Sequence, residues 1–161
     1  MQLNQQTDYA LRVLILLARE TQRAEKDPDL APRLVTIREI ADFYRISHNH
    51  LMKIVTRLTE QGFVHAQRGR GGGLRLGPDG LAINVGQVVR VMEGSWQMAA
   101  CFSPENTCPI QGNCQLEWTL HEALQAFLSV LDRQTLADMV GTIKKPQPQL
   151  IQEIRQMNRR G

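Results

Sequence analysis

The chain has 161 residues, enough to bury one sizeable core, and length alone favours a single compact domain with an appended element. Its hydrophobic fraction of 42% is ordinary for a globular protein, while its low aromatic fraction of 5% suits an aliphatic core built mainly from helices. A net charge of +3 does not by itself argue for a polyanionic partner, but the charge is lopsided: from Ser47 to Leu76, Lys53, Arg57, Arg68, Arg70 and Arg75 face a single acid, Glu60, whereas beyond Leu81 the signs balance.

Leu11, Leu14, Ile15 and Ala18 recur at i, i+3, i+4 and i+7, placing one apolar stripe on a first helix from about residue 4 to 20. The run from Val13 to Ala18 is flanked by Arg12 and Arg19 and followed by no small-residue cleavage signal, so it reads as neither signal peptide nor membrane span. Residues 21–34 are charged, carry Pro28 and Pro32 and show no period; an exposed, mobile loop is expected. Thr36 followed by Glu39 is a capping-box signature, and Ile37, Ile40 and Ala41 mark a short second helix. After a turn through Arg45 and Ile46, Ser47 is placed to cap a third helix with Leu51, Ile54, Val55 and Leu58 inward, closed by Gly62.

Phe63–Gln67 and Leu74–Leu76 are short strand candidates separated by RGRGGG, a hairpin with a basic, glycine-rich tip. Asn84 can cap a fourth helix that turns Val85, Val88, Val89 and Met92 inward and ends at Gly94. A cysteine-bearing loop runs from Ser95 to Cys114. Beyond it Leu116, Leu120, Ala123, Leu124, Phe127, Leu128 and Leu131 hold helical spacing on a long amphipathic helix with more apolar surface than its own domain can cover, which points to a dimer seam. Thr135 with Asp138 caps a last short helix through Val140, and a proline-containing tail starts at residue 144. The expected fold is mainly α with a small β-hairpin wing: a winged helix-turn-helix over residues 1–94, a cysteine loop over 95–114, a dimerisation helix and short helix over 115–143, and a tail over 144–161.

Helix, tight turn, capped helix and hairpin is the order in which the second helix of the pair enters the major groove of DNA. With the stripe inward, that helix turns His48, Asn49, Lys53, Thr56 and Arg57 outward, and Ser47 and His50 complete the candidate DNA-binding set on it. Asn pairs bidentately with adenine and Arg with guanine, while Lys and Thr suit phosphate. Arg68 and Arg70 on the wing tip suit the minor groove or the sugar-phosphate ridge. No nucleophile-base pairing or phosphate-binding loop at a strand-to-helix junction is present, so an enzyme is not expected.

Cys101, Cys108 and Cys114 form C-x6-C-x5-C in a loop that also carries Pro104, Pro109, Gly112 and Asn113. An odd number of cysteines crowded into one loop reads poorly as a disulfide framework and better as soft-metal ligands or reactive thiols in a reducing cytoplasm. Three thiolates suit an iron–sulfur cluster or, with a histidine or carboxylate, zinc, and the spacing alone leaves both open. Asp8, Glu117 and His121 are the candidates for a fourth ligand.

Taken together, TDYALRVL, IREIADFYRISHNHLMKIVTRL, GFVHAQRGRGGGLRLG, INVGQVVRVME, the cysteine loop and TLADMV resemble the superfamily of iron–sulfur transcription regulators, and most of all its nitric-oxide-sensing repressors. The resemblance spans about residues 1 to 143. It implies a homodimer crossed through the long helix, binding a palindromic operator in double-stranded DNA and holding an iron–sulfur cluster, 4Fe-4S before 2Fe-2S, on Cys101, Cys108 and Cys114. It also implies that Asp8 of the partner subunit completes the cluster. The superfamily's cluster-biogenesis regulators place a histidine three residues after the last cysteine, where this chain has Glu117. The implied function is a repressor that releases DNA when nitric oxide reaches the cluster. An iron- or redox-responsive regulator and a zinc-stabilised interaction module are the alternatives.

Overall fold

The computed structural model describes residues 2–27, 29, 33–141 and 156, so the tail expected from residue 144 lies outside the described residues apart from Gln156. Helix α1 (Gln5–Lys26) begins where the Asn4 side-chain oxygen accepts the Thr7 N–H at 2.8 Å, and it buries Ala10, Val13, Leu14, Leu17 and Ala18. It continues six residues beyond the expected end, which corrects the reading of 21–34 as loop from its first residue. Thr21 to Lys26 contains no glycine or proline, the Thr21 hydroxyl donates to the Leu17 carbonyl at 3.1 Å, and the Lys26 ammonium donates to Gln22 at 3.0 Å. Arg33, arriving from the far side of the insert, donates to Glu20 at 3.0 Å and also to Glu39, and so pins the extended helix to the next one.

Helix α2 (Ile37–Tyr44) starts with the expected capping box: the Thr36 hydroxyl accepts the Glu39 N–H at 3.2 Å and the Glu39 carboxylate accepts the Thr36 N–H at 2.7 Å. It ends at Arg45, which adopts φ 54, the left-handed region, and turns the chain within three residues into α3 (His48–Glu60). Leu51, Ile54, Val55 and Leu58 are buried as their spacing predicts. Ser47 occupies the N-cap position, but its side chain makes no capping bond, a departure from expectation. At the other end Gly62 (φ 76) donates to Thr59 O and Phe63 N–H to Leu58 O, the paired bonds of a Schellman motif, with Phe63 and Leu58 both buried.

The wing is an antiparallel pair, β1 (Val64–Gln67) and β2 (Gly73–Leu76), in register Val64↔Leu76 to Gln67↔Gly73. Val35 joins its outer edge through two backbone bonds with Leu74, tying the wing to the segment before α2. A Cβ at Gly72 would lie 2.3 Å from the Gln67 carbonyl oxygen, so the tight tip requires a residue without one.

Helix α4 (Val85–Met92), capped by Asn84, faces the core with Val88, Val89 and Met92. It leads through the loop 93–114, which holds one 3-10 turn at Ala100–Phe102, to α5 (Gln115–Asp132) and α6 (Leu136–Val140). At Gly86 a Cβ would lie 2.0 Å from an Asp132 carboxylate oxygen, so α4 and the end of α5 approach as closely as backbone permits. Arg90 pairs with Asp132, Asn84 donates to the Asp132 carbonyl at 2.6 Å and Val85 N–H to Gln134 O at 2.9 Å. Leu136 of α6 is fully buried in the same core as α1, α3 and the wing, so this late segment packs into the head. Helix α5 buries only Leu124 and Leu128; Leu116 and Trp118 are each 64% exposed and Val130 52%. No helix among the described residues is long and apolar enough to cross a membrane.

Candidate functional site

The register of α3 follows from its buried stripe, and the remaining positions are set by geometry. Ser47, His48, Asn49, His50, Lys53 and Thr56 are all exposed on the side away from the core. The Thr56 hydroxyl donates back to the Met52 carbonyl at 2.9 Å, which leaves its lone pairs outward. Arg57 departs from the outward set: it is half-buried and hands its guanidinium to the α4 carbonyls of Val91 and Met92. Arg68 and Arg70 are exposed at the wing tip. A groove of about 350 Å³ between α2, α3 and the wing is lined by Arg38, His48, Arg68 and Gly72 among others. Arg38, an exposed basic residue on the first helix of the pair, joins this groove although its position in sequence lies outside the basic stretch 47–76.

Asp8 lies in the first turn of α1 with both carboxylate oxygens on Arg12, at 3.0 Å to Nε and 2.8 Å to Nη2. The Arg12 guanidinium also sits 5.8 Å from the Tyr9 ring centroid and 5.9 Å from that of Tyr44 on α2. The hydrogen bond to Asp8 raises the Arg12 pKa, and burial raises that of the Tyr44 phenol. These residues, with Gln5 and Arg45, line an open cavity of about 570 Å³ at the helix-turn-helix bend.

The three cysteines are free: Cys101 in the 3-10 turn and Cys114 at the N-cap of α5 are half-buried, and Cys108 is exposed. The structure does not gather them: among the described residues no group of three or more His, Cys, Asp or Glu is arranged to hold a metal ion. The two alternative ligands on α5 have other partners. The Glu117 carboxylate accepts the Gly112 N–H at 3.2 Å, and the His121 ring stacks on Phe102 with centroids 4.2 Å apart. Between the cysteines, Asn106 accepts the Cys108 N–H at 2.9 Å while its own side-chain N–H₂ is buried with no partner among the described residues. A buried donor left unspent within the cysteine loop suits a group that brings acceptors, and three free thiols on one loop fit an iron–sulfur cluster in donor chemistry.

A capped helix pair whose second member is polar outward, followed by a basic glycine-tipped wing, defines a winged-helix transcription regulator, a DNA-binding protein and not an enzyme. The chain belongs to the Rrf2 family, described as iron-dependent transcriptional regulators, whose profile matches residues 3–142. It is 48% identical over 141 residues to the HTH-type transcriptional regulator NsrR of Bacillus subtilis (strain 168), covering 87% of this chain and 90% of that one. Among solved structures it is similar to CymR (YrzC), the global cysteine regulator of B. subtilis, with a TM-score of 0.63 at 26% identity over 87% of this chain and 96% of that one. T. potens IscR shares the fold, with a TM-score of 0.64 at 23% identity over 94% and 96% of the two chains. The resemblance carried by the motifs therefore holds at the level of family and fold.

Proposed function

We propose that this protein is a cytoplasmic, homodimeric repressor that leaves a palindromic operator in response to nitric oxide. The observation that carries the reading is that all three cysteines, each free, lie on the one segment joining the winged head to α5, a helix that leaves part of its apolar side, Leu116 and Val130, exposed. Cys101, Cys108 and Cys114, with Asp8 of the partner subunit, would hold an iron–sulfur cluster, 4Fe-4S in preference to 2Fe-2S. When bound, such a group supplies iron to which nitric oxide binds.

The chain's own residues do the rest. Ser47, His48, Asn49, His50, Lys53 and Thr56 face the major groove, and Arg38, Arg68 and Arg70 hold the flanking backbone. Leu116 and Val130 are exposed apolar residues on one side of α5 that a second copy would cover, fixing the spacing of two heads on a two-fold site. Arg12 holds the Asp8 carboxylate against α2, so the state of Asp8 bears directly on the helix-turn-helix. The likeness of the motifs to nitric-oxide-sensing repressors supports the input.

Anaerobic purification with iron and sulfide analysis, followed by nitric oxide titration alongside DNA binding, tests the proposal. The expected result is coloured protein whose DNA binding falls in step with added nitric oxide. The family's description as iron-dependent favours a second reading, response to iron supply, and parallel titrations with oxygen and chelator separate the two by which agent acts at the lowest dose. Colourless protein with stoichiometric zinc overturns both.

A further inference from the structure

Three elements meet at the C-terminal end of α4. Arg57 of α3 donates Nη1 to the Met92 carbonyl at 3.2 Å and Nη2 to the Val91 carbonyl. The same Met92 carbonyl accepts Asn4 Nδ2 at 3.2 Å, and the adjoining Glu93 grips Asn4 at two points, Oε1 on its backbone N–H at 3.0 Å and Oε2 on its Nδ2 at 3.1 Å. Asn4 is the N-cap of α1, and its backbone carbonyl accepts the N–H of Asp8 at 3.1 Å. All three side chains are half-buried. Carbonyls at a helix C-terminus carry partial negative charge, so a guanidinium is strongly held there, and charge-assisted bonds on both sides make the junction directional.

We propose that Arg57, Asn4 and Glu93 are positioning residues for DNA recognition: through the end of α4 they fix the angle at which α3 is presented and join it to the turn of α1 that bears Asp8. This rests on α3 being the reading helix. It also gives Arg57 a role other than base contact, since both of its terminal nitrogens donate to α4 carbonyls.

The test titrates full-length protein against a duplex selected by the wild type from a randomised pool and against random duplex of equal length. Glu93→Gln keeps the size but not the charge, and Asn4→Ser keeps a capping oxygen but not the amide donors. Each is expected to weaken binding to the selected duplex about threefold to tenfold and to change random-duplex binding by less than about twofold, the range of one weakened charge-assisted bond. Arg57→Lys, which retains a donor, recovers part of the loss in Arg57→Ala, and Arg57→Ala combined with Glu93→Gln costs less than the sum of the two. A merely structural role would lower both affinities together with the melting temperature, and that result overturns the proposal. Wild-type behaviour of Glu93→Gln and Asn4→Ser also overturns it if Asn49→Ala still loses sequence preference. Should Asn49→Ala be silent too, the assignment of α3 as reader fails, and the positioning role fails with it.

Discussion

Glu117 stands three residues past Cys114, but its carboxylate holds the Gly112 N–H, and His121 one turn further along lies flat on Phe102, next to Cys101. The two side chains fasten both ends of the cysteine loop to one side of α5. On the proposed cluster assignment, Glu117→Ala and His121→Ala proteins should retain the iron content and absorption maxima of the wild type, while Cys108→Ser should lose them. Loss of iron from Glu117→Ala would place that carboxylate among the ligands. At the wing tip, Gly72→Ala sets a methyl 2.3 Å from the Gln67 carbonyl and should destabilise by about 1–3 kcal/mol in denaturant titration, as overpacking does. Residue types at this scale were legible, but their partners were not. Arg57 and Lys53 look alike in sequence as basic positions on α3, and only the approach of α4, about 35 residues later, takes one of them out of the outward set.

At the scale of elements, the capping box on α2 is also an acid-sensitive fastening. The Glu39 carboxylate is held at about 2, below its ordinary 4.5, first by the Thr36 backbone N–H and then by Arg33. A depressed folded-state pKa stabilises above the unfolded value and is lost as pH falls through the folded one, so this contribution fades between pH 4.5 and 2. Glu39 is partly exposed to solvent, which keeps the effect modest. A Glu39→Gln protein should show a shallower fall in urea midpoint across that window, and Thr36→Ala should cost about 1 kcal/mol at neutral pH. Caps at Thr36, Asn84 and Thr135 were readable because the bonds that make them join neighbours in sequence. The extension of α1 was not, because its last turns carry no apolar period and their anchor, the Glu20–Arg33 contact, spans the insert.

For the whole molecule, α5 separates two kinds of apolar residue. Leu128 is buried against the head, so Leu128→Ala should lower stability by about 2–5 kcal/mol in thermal or urea unfolding. Leu116 is exposed in the single chain, so on the proposed dimer Leu116→Glu should leave unfolding of the head almost unchanged yet shift sedimentation to monomer and abolish binding to a two-half-site duplex. A dimeric Leu116→Glu protein would move the seam elsewhere. The stripe was visible in sequence as helical spacing, whereas its division between inner and outer partners depends on where α4 crosses it. The cysteine loop was visible as a motif, but sequence spacing carries no statement of how three thiols are brought to one point.

The close crossing at Gly86 has a mechanical meaning. With no side chain between α4 and Asp132, and with Arg90, Asn84 and Val85 all fastened to the same end of α5, that helix behaves as a lever clamped at its base while its other end, at Cys114, carries the loop. In the proposed switch a displacement begun at the cysteines would reach the head at this clamp, and a larger residue at position 86 would loosen the pivot without altering any residue of the loop or of the reading face.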